Sequence, residues 1–174
     1  MQSLESGGTP CQAVLRPASQ ISKTYLLNFH QVHLYCVDGS NVVRVLWGYG
    51  GPEFRAQEES DCVTLVESFG ALCRGLPDRL EADIFFDGEG RRWPRAPQSP
   101  ANLRVRFAWE ETADELILDL VRARRWRGGE SVTVMTGDAQ LGRRAREEGA
   151  RWVNIRLGDS LERILHNIET RLAR

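Results

Sequence analysis

The chain is predicted to fold as an α/β domain, with helices layered on both faces of a mainly parallel five-stranded sheet of order 3-2-1-4-5. Three observations predict it. Short apolar, β-rich runs alternate with segments of helical periodicity, which demands a parallel sheet with crossover connections. Several runs are apolar on consecutive residues, as in strands buried on both faces. Three of them lead directly into an acid: His33-Leu-Tyr-Cys-Val-Asp38, Ala82-Asp-Ile-Phe-Phe-Asp87 and Val132-Thr-Val-Met-Thr-Gly-Asp138. In an open α/β sheet, the carboxyl ends of the strands border the ligand crevice.

At 174 residues, one domain with its own core is the expectation. Residues 1–30 are read as an N-terminal extension, disordered over roughly its first ten residues by their Gly, Ser and Pro content, and 31–174 as the folded domain. Tyr25-Leu-Leu-Asn-Phe29 suits a short helix on the body, or pairing with a partner. His33–Val37 is the first strand. Asp38-Gly-Ser-Asn41 is a turn in which Asn41 can cap a helix over Val42–Tyr49. Asp61–Leu76 has apolar residues at helical spacing, and Pro77 ends it. Ala82–Phe86 is the second strand, and Leu103–Ala108 alternates as the third. The proline-rich stretch 88–100 between them reads as a loop, mobile without a ligand. Ala113–Arg125 is a helix ended by Gly128-Gly129. Val132–Thr136, a helix over Ala139–Glu148, Arg151–Ile155 and an amphipathic helix over Ser160–Leu172 complete the pattern.

Net charge is −1, so no global basic field advertises nucleic acid, although acids gathered in a site offset basic residues elsewhere. Cys11, Cys36, Cys62 and Cys73 form no C-x-x-C pair. They read as small core residues of a reducing compartment rather than zinc ligands. The polar start lacks the apolar stretch of a signal peptide, and no segment approaches membrane-spanning length. Cytoplasm is the expected location.

Five carboxylates stand where such a sheet gathers side chains: Asp38, Asp87, Glu111, Asp114 and Asp138. Singly, each has a plain structural explanation. Asp38-Gly39 and Asp87-Gly88 are ordinary turn pairs. Asp138 suits a helix cap, and Glu111 and Asp114 suit a first helical turn, where Thr112 and Glu115 match a capping box. Their joint placement points further. Crowded carboxylates do not all stay charged unless a cation joins them. In the order 3-2-1-4-5, Asp38 and Asp138 end the strands that flank the reversal. Glu111 and Asp114, three residues apart, can share one side of their helix.

Asp38-Gly-Ser-Asn41 after a strand, Phe86-Asp87 after the second, Glu111-Thr-Ala-Asp114 opening a helix and Thr136-Gly-Asp138 after the fourth together resemble the NYN branch of the PIN-like nucleases, most nearly the bacterial YacP-like group. The resemblance spans about residues 33–166 and implies a three-layer Rossmann-like (PIN-like) sandwich. The sequence departs from that group at Ser40, where an aromatic residue is usual, which bears on base stacking. It departs again at Gly137, where Ser or Asn is frequent. The resemblance implies a Mg²⁺- or Mn²⁺-dependent endoribonuclease with Asp38, Asp114 and Asp138 as catalytic residues and metal ligands. Asp38 and Asp138 are then direct ligands and Asp114 a third, direct or through water. Asp87 and Glu111 orient waters or a second ion, and Asn41 positions Asp38 or holds a phosphate oxygen. RNA is the implied partner, with a ribosome or protein partner also compatible.

Arg91, Arg92, Trp93 and Arg95, on the loop beside the crevice, combine phosphate-binding guanidinium groups with a stacking face. Arg143 and Arg144 follow the Asp138 turn and are further substrate-binding candidates. Arg122, Arg124, Arg125 and Arg127 are read as solvated side chains suiting a helix C-terminus. His30, His33 and His166 receive no catalytic role, and Trp109, Trp126 and Trp152 are expected to pack. Two alternatives stay open: a PIN-like RNA- or protein-binding domain without cleavage, and a metal-dependent phosphatase with Asp38 as nucleophile. The phosphatase is the weaker, because no second Asp stands two residues after Asp38.

Overall fold

The computed structural model describes residues 32–49, 55–88, 99–126 and 131–174. Within them the chain forms an open five-stranded sheet, β3-β2-β1-β4-β5, with every pairing parallel. The order runs β1 (His33–Asp38), α1 (Gly39–Trp47), α2 (Arg55–Gly75), β2 (Leu80–Asp87), β3 (Leu103–Ala108), α3 (Ala113–Trp126), β4 (Val132–Thr136), α4 (Ala139–Glu147), β5 (Arg151–Asn154) and α5 (Leu161–Leu172). This is the predicted sheet order. Residues 1–31 and 89–98, with the expected extension and loop, lie outside the described residues.

Strand alternation sorts the apolar side chains into two cores. Tyr35 and Val37 of β1, with Leu80, Ala82, Ile84 and Phe86 of β2, face α1, α2 and α5. Leu34 and Cys36 of β1, with Phe85 of β2 and Val132 and Val134 of β4, face α3 and α4. Both faces of the three central strands are therefore covered, which is why their sequences read as unbroken apolar runs. Edge strand β5 carries only exposed and half-buried residues.

Near the β3 edge, the face toward α3 is polar instead. Asp83 of β2 is fully buried and accepts from Arg104 Nε at 2.6 Å and Arg106 Nε at 2.8 Å, both on β3. Arg104 also donates to Glu81 at 2.9 Å, and Arg124 of α3 joins the same carboxylate. Arg124, expected to be solvated, thus ties a helix to the sheet, because its C-terminal turn overlies Glu81. Arg122 likewise bonds Asp119 and Glu148, each at 2.9 Å.

Two helix starts differ from expectation. The first helix begins at Gly39, directly after β1, because the Asp38 side chain accepts the Asn41 backbone N–H and is itself the cap. A Cβ at Gly39 would stand 2.5 Å from Phe86 Cε1, so this turn holds only glycine without rearrangement. The second helix starts at Arg55 rather than Asp61. Its added turn contains the helix formers Ala56, Gln57, Glu58 and Glu59, which periodicity alone does not reveal. Glu58 bonds Arg44 Nε of α1 at 3.2 Å.

Candidate active site

The sheet reverses its order between β1 and β4, and the crevice at that point is built from the turns that follow them. Asp38, at the end of β1, is 4% exposed. Its Oδ1 accepts from Asn41 N at 3.2 Å and its Oδ2 from the Thr136 hydroxyl at 2.9 Å. Burial pushes the Asp38 carboxyl up to about 6, against the two hydrogen bonds, and the charges of Asp114 and Asp87 push it the same way. Thr136 is fully buried and works in both directions: its oxygen accepts from Asp138 N at 3.0 Å. One hydroxyl therefore couples the Asp38 and Asp138 turns. Asn41 locks the same junction, its Oδ1 accepting from Gly137 N at 2.7 Å.

Asp138 caps α4, with Oδ1 accepting from Gln140 N at 2.6 Å and Leu141 N at 3.3 Å. Asp87, at the end of β2, accepts from Ala113 N at 3.3 Å and thereby fixes the start of α3. Thr112 and Glu115 form the expected capping box there, each backbone N–H bonded to the other's side chain at 3.3 Å. Asp114 follows in the first turn. Burial raises its carboxyl, Asp138 and Asp87 raise it further, and Arg144 of α4 opposes them. The structure thus brings Asp38, Asp87, Asp114 and Asp138 into one electrostatic cluster beside Arg144. Glu111 lines a neighbouring depression with Phe107, Trp109, Glu110 and Leu116.

Among the described residues, no three acidic, histidine or cysteine side chains already stand close enough to hold one ion together. The donor set still suits a hard divalent cation. It offers oxygens alone, and such ions are commonly held by one or two carboxylates with water completing the shell. Burial first, and neighbouring acids second, press the Asp38 and Asp114 carboxyls upward, and a cation placed among them would oppose both.

The two departures at motif positions have structural causes. Ser40 is fully buried, and its Oγ accepts from Asp87 N at 3.0 Å, so no base can stack at this position. It joins the β1 turn to the end of β2. At Gly137 a Cβ would come within 2.8 Å of the Ile155 carbonyl oxygen and 2.9 Å of Val45 Cγ2, leaving no room for Ser or Asn.

Arg143 lines a second depression with Arg146 and Glu147. Arg91, Arg92, Trp93 and Arg95 lie outside the described residues. Trp152 packs as expected, its indole donating to Thr136 O at 3.1 Å. Trp109 and Trp126 do not. They are 70% and 93% exposed, because one follows the last residue of β3 and the other ends α3. His33 is buried, with its Nε2 2.8 Å from the Thr133 hydroxyl. Thr136 is a residue that sequence reasoning left without a role, and Ser40 was weighed there only for base stacking. A Thr two positions before a helix-capping Asp is the local signal for the first.

Asp138→Ala removes the α4 cap and should lower stability by about 1 kcal/mol, whereas Asp138→Asn keeps an acceptor oxygen and should stay within a few tenths of a kcal/mol of the parent. Urea unfolding of the two variants checks this. Equal losses would show that the cap contributes nothing.

The family model for the YacP-like NYN domain matches residues 76–173. No curated protein matches the sequence. Among solved structures, the chain is similar to Rae1 (YacP) from Bacillus subtilis, with 23% identity, a TM-score of 0.55, and coverage of 82% of this chain and 79% of that one. It is also similar to a point mutant of the same protein, with 20% identity, a TM-score of 0.52, and coverage of 80% and 79%. At these identities the likeness is one of fold, and that fold is the parallel sheet described above.

Proposed function

The chain belongs to the YacP-like NYN domain family, and on that premise we propose that it is a metal-dependent endoribonuclease that hydrolyses RNA phosphodiester bonds at the Asp38, Asp114 and Asp138 cluster. The observation that carries the proposal is Asp38 itself. It is a nearly buried carboxyl at the topological switch point, pushed up to about 6 by burial and, in part, by two further acids. A Mg²⁺ or Mn²⁺ ion bound there supplies charge stabilisation for the phosphodiester and a water of lowered pKa.

The remaining work falls to the chain. Asp38 is the anchoring ligand, because the Thr136 hydroxyl and the Asn41 N–H fix its two oxygens. Asp138 engages α4 through Oδ1, so its second oxygen would be the one to hold the ion. Asp87 holds the start of α3 and so places Asp114, the third ligand, directly or through water. Asn41 keeps the Asp38 and Asp138 turns in register. Arg144, which already offsets Asp114, receives a substrate phosphate oxygen, and Arg143 extends that basic side.

The proposal carries a cytoplasmic location; no helix among the described residues is long and apolar enough to cross a membrane. The lack of a preformed three-ligand group among the described residues favours, as a second reading, a silent RNA- or protein-binding domain. Labelled single-stranded and structured RNAs, incubated with Mn²⁺ and parent protein, separate the two. Cleavage supports the nuclease, and binding without cleavage supports the silent domain.

Arg91, Arg92 and Arg95 are assigned to substrate grip from the sequence. Replacing all three by Ala should weaken RNA binding and flatten its salt dependence by roughly 0.7 in the log–log slope per lost phosphate contact. Titrations at low and high salt measure this. Unchanged affinity at both would move the grip to Arg143 and Arg144.

A further inference from the structure

Trp109 is an aromatic side chain left 70% exposed at the margin of the acidic cluster. It directly follows Ala108, which pairs with Asp87 across β2 and β3, and Gly88 N donates to Ala108 O at 2.9 Å. Its backbone is therefore about one strand spacing, ~4.8 Å, plus a residue from the Asp87 backbone. Five residues later the chain reaches Asp114. Trp109 lines a depression of about 350 Å³ with Phe107, Leu116, Glu110 and Glu111. Single exposed hydrophobic residues are ordinary on protein surfaces. Here the indole instead shares a depression with the apolar Phe107 and Leu116 and with two glutamates.

Charge decides what this depression takes. The α4 side of the crevice carries Arg143, Arg144 and Arg146, whereas the β3–α3 side carries Glu110, Glu111 and Glu115. A nucleic-acid backbone is repelled from the acidic side and held on the basic one. A base that reaches the Trp109 side from that backbone meets an aromatic face that can stack it and a carboxylate that can accept from base-edge donors. Adenine and cytosine carry an exocyclic amino group where uracil carries the O4 carbonyl oxygen, and guanine carries its amino group at N2. A carboxylate accepts from an amino group and is repelled by a carbonyl oxygen, which leaves uracil only its N3–H to donate.

We propose that Trp109, with Glu111 at its rim, forms a nucleobase subsite beside the acidic cluster, selective for a base that carries an exocyclic amino group. It rests on RNA being the substrate, and it assigns Glu111 to base recognition rather than to the ion. The test is binding rather than turnover. Labelled oligoadenylate and oligouridylate are titrated with the Asp138→Asn protein in Mg²⁺, and then with that protein also carrying Trp109→Ala, Trp109→Phe or Glu111→Gln. Oligoadenylate should bind more tightly than oligouridylate. Trp109→Ala should weaken it by roughly fivefold to a hundredfold, the range of one lost base stack, while Trp109→Phe retains most of the affinity. Glu111→Gln should narrow the gap between the two oligomers, because an amide both donates and accepts.

Binding that is indifferent to Trp109→Ala, a gap untouched by Glu111→Gln, or no binding of either oligomer would overturn the proposal. Trp109-dependent binding in a protein whose parent cuts no RNA would uphold the subsite and sink the nuclease reading. Cleavage with Trp109-independent binding would do the reverse.

Discussion

Asp38→Asn is expected to abolish RNA cleavage, by about a thousandfold or more, while making the metal-free protein harder to unfold at neutral pH. The first effect follows from removing the anchoring ligand, since a bound ion's charge stabilisation is worth several kcal/mol at the transition state. The second follows from linkage. Folding raises the Asp38 carboxyl to about 6, so the folded state takes up a proton that the unfolded state leaves in solution. Its ionisation therefore costs stability above pH 6, and that cost disappears as pH falls through the folded value toward the unfolded one. The cost is at most about 3 kcal/mol, from roughly 1.4 kcal/mol per unit. Asparagine removes it while keeping an acceptor for the Asn41 N–H. It loses the carboxylate oxygen that receives the Thr136 hydroxyl, an offset of about 1 kcal/mol. Denaturant unfolding in chelator at pH 5 and 7 should show the parent gaining stability at the lower pH relative to the variant. A variant that cuts RNA at the parent's rate would remove Asp38 from the site.

The largest loss of stability is expected from Arg104→Ala combined with Arg106→Ala. Asp83 is fully buried, and these two arginines of the edge strand, each itself about half exposed, hold its two oxygens. Deleting both strands a carboxylate in the interior, which costs about 3–5 kcal/mol. Removing Asp83 is milder, because the arginines then turn to water. Asp83→Asn on the double-alanine background should therefore recover most of the loss. Urea midpoints of the three proteins report it. A double variant within about 1 kcal/mol of the parent would mean that water reaches Asp83.

The sheet was legible because β1, β2 and β4 are covered on both faces and so read as continuous apolar runs, with helices of clear period between them. The placement of the clustered aspartates was legible for a related reason: parallel strands deliver their ends, and the helix starts that follow them, to one edge. Side-chain bonding between turns was not. That Asp38 caps its own helix, that Thr136 joins two turns, and that Ser40 is buried against Asp87 depend on which strands become neighbours. Residue type alone leaves them open. The Asp83 network left a trace, acids at 81 and 83 facing arginines at 104 and 106, but β2–β3 register was needed to read it. Trp109 and Trp126 failed as core residues because they stand just past a strand and at the end of a helix, and hydrophobicity carries no information about where an element stops.

The most direct measurement is hydrolysis of end-labelled RNA by the parent protein, first in excess chelator and then with Mn²⁺ or Mg²⁺ restored, with Asp38→Asn alongside. Internal cleavage should be absent in chelator, return with the ion, and stay absent in the variant. Cleavage that persists in chelator, or that the variant performs equally well, would contradict a metal-dependent reaction at this cluster.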